Sequence, residues 1–368
     1  MLKRLAAEHG TVCCFRDDSM SFGYFGWPTV IRTGEDGLLV GSSGFRTQHI
    51  DPFGKTVIFA SKDSGRRWGA PAVINDSPID DRDVGLLDLG GGRVLATWFS
   101  QDTRVELAGR DWSADSQRID LNPVLNSWDD DVVERNCGSF VRIRDASGRW
   151  GRRTAVAVSS PHGPVRLSDG RILYVGRVYT RGPSSSGGQH VSVRAIVSAD
   201  GEHWETLSEL PTPAGTGNAF FCEPHAVELP SGRILVMLRA EPQFAIYQCH
   251  SDDAGKSWST PKFVVCGSPP HLLRHSSGAL ICTYGYRSPG YGQRVLLSRD
   301  DGKSYEQWIL RDDGVDSDLG YPSTVELSDG TLYSVYYQRP APGMLNNGIL
   351  SSRWELPEPG GETVFVDR

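Results

Sequence analysis

Two repeats running out of phase predict an all-β chain, a six-bladed β-propeller. One is a strand, a glycine turn and a strand, and it occurs six times; the other is a turn of the form Ser-x-Asp-x-Gly closed by an aromatic residue, and it occurs four times, once shortened to Ser-x-Asp-Gly. A third observation supports them: apolar and polar residues alternate before each glycine, as in half-buried strands. Repetition at a regular spacing marks propellers, solenoids and arrays. Two hairpins per repeat match four-stranded blades set around a central channel.

The elements follow in order. Blade one runs from Val30 through Gly37 to Leu39 and on to the turn Ser61-Lys-Asp63-Ser-Gly65-Arg-Arg-Trp68. Blade two has Leu87-Asp-Leu89-Gly-Gly-Gly92-Arg-Val-Leu95 and a degraded turn at Asp145-Ala-Ser-Gly148-Arg-Trp150. Blade three has Val165-Arg-Leu167-Ser-Asp-Gly170-Arg-Ile-Leu173, then Ser198-Ala-Asp200-Gly201-Glu-His-Trp204. Blade four repeats this with Val227 to Leu235 around Gly232 and Ser251-Asp-Asp253-Ala-Gly255-Lys-Ser-Trp258, and blade five with Leu273 to Ile281 around Gly278 and Ser298-Arg-Asp300-Asp-Gly302-Lys-Ser-Tyr305. Blade six, Val325 to Leu332 around Gly330, has no such turn, so its outer strands must come from Gly348–Trp354 and from Thr11–Phe15, closing the ring with both ends of the chain. In each Asp turn the glycine supplies φ > 0 and the Ser and Asp side chains can bond nearby amides.

Composition bounds the partners. The 368 residues are expected to form one ring-shaped domain, 1–368. The net charge of −7 argues against a nucleic-acid partner. No apolar run is long enough for a membrane span, and residues 1–9 lack the apolar core of a signal peptide, so a cytoplasmic protein is expected. Seven cysteines without metal-ligand spacing point to free thiols in a reducing compartment. No Asp-x-Asp-x-Asp-Gly loop with a distal Glu appears, so no metal or other cofactor is expected. The repeat spacing lengthens at about 101–136, a charged, aromatic insert that is either an ordinary surface loop or a wall of the site, with Trp112 and Trp128 suited to stacking on a sugar.

Chemistry is expected where the innermost strands enter the channel. Nine residues before the turn glycines of blades two to six stand Asp83, Pro161, Glu223, Pro269 and Tyr321, and blade one offers Trp27. Equivalent positions of a ring converge on its axis, so ionisable groups there meet. His162, His225 and His271 follow within two residues; a lone histidine is more often structural than functional, but His162 and His225, with His49, are candidates to touch substrate.

This constellation resembles the sialidase (neuraminidase) superfamily over most of the chain, and the four Ser-x-Asp-x-Gly turns resemble that family's Asp boxes, or BNR repeats. The resemblance implies a carbohydrate-active six-bladed propeller. Its nucleophile would be Tyr321 in Gly320-Tyr321-Pro322-Ser323-Thr324, with Glu223 in Cys222-Glu223-Pro224 as partner. Its substrate-carboxylate arginines would be Arg239 and either Arg294 or Arg287. The family's first-blade arginine, in an Arg-Ile-Pro segment, is replaced by Gly26 in Gly26-Trp27-Pro28; Arg46, in a segment with His49 and Asp51, and Arg82 are the candidates to substitute for it. Asp51 is the nearest match to the family's general acid, with Asp83 as the other.

The chemistry is readable without the family. A Tyr of ordinary pKa, near 10, needs a carboxylate to take its proton as it attacks, and enzymes acting on sialic acid use Tyr because a carboxylate nucleophile would be repelled by the substrate's own carboxylate. Arginines hold that carboxylate through paired hydrogen bonds. A glycoside hydrolase for a terminal sialic acid or another acidic sugar is therefore expected, with a carbohydrate as partner. The alternatives are a polysaccharide lyase using His162, His225 and Tyr321, and a non-catalytic glycan-binding propeller.

Overall fold

The computed structural model describes residues 2–14, 21–110, 119–179, 192–213 and 220–366. Among these the strands form six antiparallel sheets, one per blade. Blade one is Tyr24–Arg32, Leu38–Arg46, Lys55–Ser61 and Ala72–Asn75; blade two is Asp80–Gly90, Arg93–Gln101, Gly138–Arg144 and Thr154–Val156. Blade three has its inner strand in two pieces, Val158–Ser159 and Val165–Arg166, beside Ile172–Val178, Val193–Ser198 and Glu205–Glu209. Blade four is Phe220–Glu228, Ile234–Glu241, Ala245–Ser251 and Lys262–Cys266. Blade five, Pro270–Arg274, Leu280–Tyr286, Gly292–Ser298 and Ser304–Arg311, gains Glu362–Phe365 as an outer fifth strand. Blade six is Gly320–Glu326, Leu332–Gln338 and Gly348–Trp354, completed by Ala7–Cys13 from the other end of the chain. The ring closes as the repeat count required.

The Asp turns fold as their residues dictate. In the first, the Ser61 hydroxyl donates to Asp63 Oδ1 at 2.8 Å and accepts from the Gly65 amide at 2.9 Å, while Asp63 accepts from the Arg67 amide at 2.9 Å. Three of their four aromatics reach the preceding blade, while Trp204 donates to the Gly201 carbonyl of its own turn. Tyr305 of blade five donates to Gln248 of blade four at 2.6 Å, and Trp258 of blade four donates to Ser208 of blade three at 2.9 Å. Trp68 of blade one likewise donates to Tyr333 of blade six. Apolar packing between sheets does the rest, as where Leu235, Met237 and Ile246 of blade four meet Leu280, Cys282 and Tyr284 of blade five.

The segment at about 101–136 is not a simple loop. Among its described residues it carries three short helices, Arg104–Leu107, Asn122–Leu125 and Asp130–Asn136, between the second and third strands of blade two. Leu107, Leu121, Leu125, Trp128 and Val133 pack with Ile79 into a small apolar cluster of their own. Trp128 is thus a core residue of the insert rather than a platform for a sugar, and Trp112 lies outside the described residues. The insert's Asp102 and Arg104 pair with each other, and Arg104 donates to the Trp128 carbonyl, so part of its charge staples it shut.

Candidate active site

The inner strands share one irregularity, and it positions the site. Trp27, Asp83, Glu223 and Tyr321, the equivalent residues of blades one, two, four and six, all take φ near +50°: 54°, 53°, 49° and 49°. At each the strand pairing slips, between Gly26 and Thr29, Arg82 and Gly85, Cys222 and His225, and Gly320 and Ser323. A bulge bends a strand and re-aims a side chain. A non-glycine residue held at φ > 0 costs on the order of 1–3 kcal/mol, so four in one ring are a strain that packing alone gives no reason to keep.

The bulges bring Tyr321 against Glu223. The Tyr321 hydroxyl donates to Glu223 Oε1, and Arg239 donates to Glu223 Oε2 at 2.8 Å and reaches the Tyr321 oxygen at 3.4 Å. Burial and the Glu223 charge keep the Tyr321 phenol protonated, well above its usual range. Burial also opposes charge on Glu223, but the Arg239 guanidinium and the bonds from Tyr321 and Arg239 outweigh it and hold the carboxyl below its ordinary value. Asp83 is the reverse case. Burial dominates over the pull of Arg82 and pushes it up to about 7, and its Oδ1 is buried with no partner. Two carboxyls whose surroundings drive them in opposite directions are the usual mark of an acid and a base.

The other expected residues divide. Arg287, not Arg294, stands beside Tyr321, its guanidinium 5.4 Å from the ring centre. Arg294 is turned away into blade five, where it donates to the carbonyls of Gly290 at 2.8 Å and Arg311 at 3.0 Å and stacks on Tyr286, so its expected place in the channel is corrected. Asp51 is likewise removed from the site. It is buried and accepts from the amides of Thr47 at 2.8 Å and Phe53 at 2.6 Å, which makes it a loop staple. Arg46 is fully buried in an ion pair with Asp80 and donates to the His49 carbonyl, leaving it no freedom as a substrate cation. Arg82 lies over Trp27, 4.5 Å from the ring centre, with Asp80 3.8 Å away.

The histidines serve the ring. His225 accepts the Leu272 amide at 2.9 Å and His271 accepts the Thr324 amide at 3.3 Å, so each ties its blade to the next. His162 packs edge-on against both, with its ring centre 6.4 Å from that of Tyr321, and lies near Thr29 of blade one. Burial pushes His225 down to about 3 and the other two well below their usual value, so all three are neutral. His162 and His225 were expected to touch substrate; the structure gives them this packing instead.

Four residues escaped the sequence reading. Asp318 accepts from Tyr24 at 3.0 Å, Tyr337 at 3.1 Å, Asn347 at 2.8 Å and His49 at 2.7 Å. Glu241 pairs with the far side of Arg239. Glu241 was findable, because it stands two residues from Arg239 on the same face of one strand; Asp318, Tyr24 and Tyr337 come from loops and strands that only the closed ring brings together. A cleft of about 280 Å³ opens beside this group, lined by Tyr24, His49, Asp318, Arg339, Leu345 and the insert's Leu107. Glu106, Leu107 and Arg110 of the insert line this cleft.

Known proteins resemble this chain in fold. Residues 162–334 match a family model described as a BNR repeat-like domain. A Dyadobacter fermentans protein of unknown function superposes with a TM-score of 0.74 at 21% identity, covering 96% of this chain and 99% of that one. The NanB sialidase of Streptococcus pneumoniae gives 0.65 at 13% identity over 94% of this chain and 71% of its own. An α-L-arabinofuranosidase of Fusarium graminearum gives 0.62 at 13% identity over 95% and 98%. No curated protein matches the chain. No described helix is long and apolar enough to cross a membrane. Six blades, the Asp-box turns, the repeat-domain match and these neighbours together give the chain the fold of the sialidases, a BNR-repeat six-bladed β-propeller.

Proposed function

We propose that the chain is a glycoside hydrolase acting on a terminal sugar, with Tyr321, Glu223 and Asp83 as its reacting groups. The observation that carries this is the hydrogen bond from Tyr321 to an ionised Glu223 at the end of the channel. In the resulting mechanism the Tyr321 oxygen attacks the anomeric carbon as its proton passes to Glu223, and Asp83 gives its proton to the departing glycosidic oxygen. Asp83 then takes a proton from water, the hydroxide cleaves the tyrosyl–sugar bond, and Glu223 returns the proton to Tyr321. In the acidic-sugar form of the reading, Arg239 and Arg287 would hold the substrate carboxylate. The lyase reading loses support, since His162 and His225 are buried in packing between blades and burial makes each a weak base.

A second assignment has one observation in its favour: the opposed protonation of Glu223 and Asp83 suits a two-carboxylate mechanism in which Glu223 itself attacks and Tyr321 only orients it. The variants separate the two. If Tyr321 attacks, Tyr321→Phe should cut kcat by about 10³-fold or more, Glu223→Gln should do nearly the same, and the double variant should be little worse. If Glu223 attacks, Tyr321→Phe should keep all but about 10–100-fold of the rate. Wild-type protein inert toward a broad panel of aryl glycosides and oligosaccharides would sink the hydrolase reading itself.

A further inference from the structure

The question left by the site is what the arginines are for. A first-blade cation would extend from position 26, yet a Cβ built on Gly26 would lie 3.3 Å from the Tyr24 ring and 3.7 Å from the Tyr337 ring. That space holds two phenols in place of a cation. Both phenols donate to Asp318, so the place where the resemblance puts an arginine is occupied by a carboxylate and its donors.

Three of the remaining four cations are ion-paired. Arg239 is bracketed by Glu223 and Glu241. Arg46 pairs with Asp80, and Arg82 shares that same carboxylate at 3.8 Å. Arg287 acts electrostatically on both Glu223 and Asp318, lowering each. Four guanidiniums thus stand among four carboxylates, Asp80, Glu223, Glu241 and Asp318. Burial opposes the charge on Asp318, but His49, Arg287 and the Tyr24 hydroxyl outweigh it and leave it ionised. Its side chain is still 25% exposed toward the cleft.

A substrate carboxylate entering here would be a fifth anion, stripped of water, among four guanidiniums of which three are already ion-paired and the fourth, Arg287, serves the charges of both Glu223 and Asp318. Breaking or overloading a buried charge pair is costly. Sugar hydroxyls meet the opposite situation, because each can donate to a carboxylate and accept from a guanidinium. Resting on the hydrolase reading, we propose that the terminal sugar bound at this site is neutral, its hydroxyls held by Asp318 and Arg287. Gly26 is then a change of substrate class, and the Tyr24–Tyr337–Asp318 group is what replaced the lost arm.

Binding and turnover of the full chain test this separately. Ligand-observed NMR and calorimetry would compare the neutral sugars L-arabinose, D-galactose and L-fucose with N-acetylneuraminic acid and D-glucuronic acid. At least one neutral sugar should bind at millimolar concentration, and both acids about tenfold more weakly or not at all. Asp318→Asn should weaken the neutral ligand by about tenfold. Should that variant fail to fold, a salt titration of the wild type replaces it: hydroxyl contacts should be insensitive to NaCl, whereas an arginine–carboxylate contact would weaken. An acid that binds as tightly as any neutral sugar, or no binding by any of the five, would overturn the inference. Turnover of a 4-methylumbelliferyl sialoside or uronide would also overturn it while leaving the hydrolase reading intact. Neutral binding without turnover of the matching aryl glycoside would support it and count against hydrolysis.

Discussion

At the scale of the residue, Asp83 has two demands on it that pull apart. Burial that raises it to about 7 makes it a proton donor near neutrality, so kcat/KM should fall as pH rises through about 7, and Asp83→Asn should abolish that limb together with most of the rate. The same shift burdens the fold. Unfolded, the group loses its proton near 3.8; folded, it keeps it to about 7. Between those values the folded state binds the extra proton, so stability declines as pH rises and the loss is complete above about 7. Asp83→Asn should therefore stabilise the protein at pH 8 by roughly 1–4 kcal/mol, and much less at pH 4, where the folded group is protonated and the unfolded one is only about half ionised. Thermal melts at the two pH values measure the difference. Equal melting shifts would mean that Asp83 ionises freely in the folded protein.

At the scale of the element, the Asp-box turn acts as a clasp between blades, and its glycine has two separate duties. Gly302 has φ of 80°, and a Cβ there would meet Leu235 of blade four at 2.6 Å; Gly278, in a plain hairpin turn, has φ of 90° with open space around it. Replacing Gly278 by Ala should cost only the left-handed backbone penalty, about 1 kcal/mol. Gly302→Ala adds the displacement of a packed leucine and should cost about 2–4 kcal/mol. Denaturant unfolding of the two variants reads this directly, and equal losses would show that the turn does not bear on its neighbour. The insert follows the same logic at larger size: its helices form because Leu107, Leu121, Leu125, Trp128 and Val133 have each other to bury against, whatever the charge around them.

At the scale of the whole molecule, the ring is held by the pairing of Ala7–Cys13 with Gly348–Trp354, which runs from Ala7 opposite Trp354 to Cys13 opposite Ile349. Removing residues 2–14 would leave Gly348–Trp354 as a bare edge, its apolar residues Ile349, Leu350 and Trp354 no longer covered on that side. Tm should fall by roughly 5–10 °C or more, and light scattering should show association through the new edge. The site should suffer too, because Val12 and Cys13 of the removed strand belong to the apolar cluster that also holds Tyr24, Trp27, Tyr321 and Tyr337. Tyr321 and Asp318 belong to or border blade six, and Glu223 lies across the channel in blade four. Their meeting depends on the blades holding their angles.

Local chemistry was enough to read the repeat from the amino-acid sequence. Ser, Asp and Gly specify a turn within five residues, and alternation specifies a strand, so six blades and the shared register of Trp27, Asp83, Glu223 and Tyr321 were legible before any coordinates. Tyr321 and Glu223 could be paired on register alone, because equivalent positions of a ring must converge. Orientation was not legible. Arg287 and Arg294 are seven residues apart at the two edges of one hairpin, and only the packing of blade five against blade six turns one toward Tyr321 and the other toward the Gly290 and Arg311 carbonyls. Arg46 and Asp51 carry the residue types of a site and spend them on a loop, a choice made by Asp80 and by the Thr47 and Phe53 amides. Asp318 drew no notice in the sequence because its four donors come from four separate segments, near residues 24, 49, 337 and 347. Turns and strands answer to neighbours along the chain, and a charged side chain answers to whatever the closed ring sets beside it.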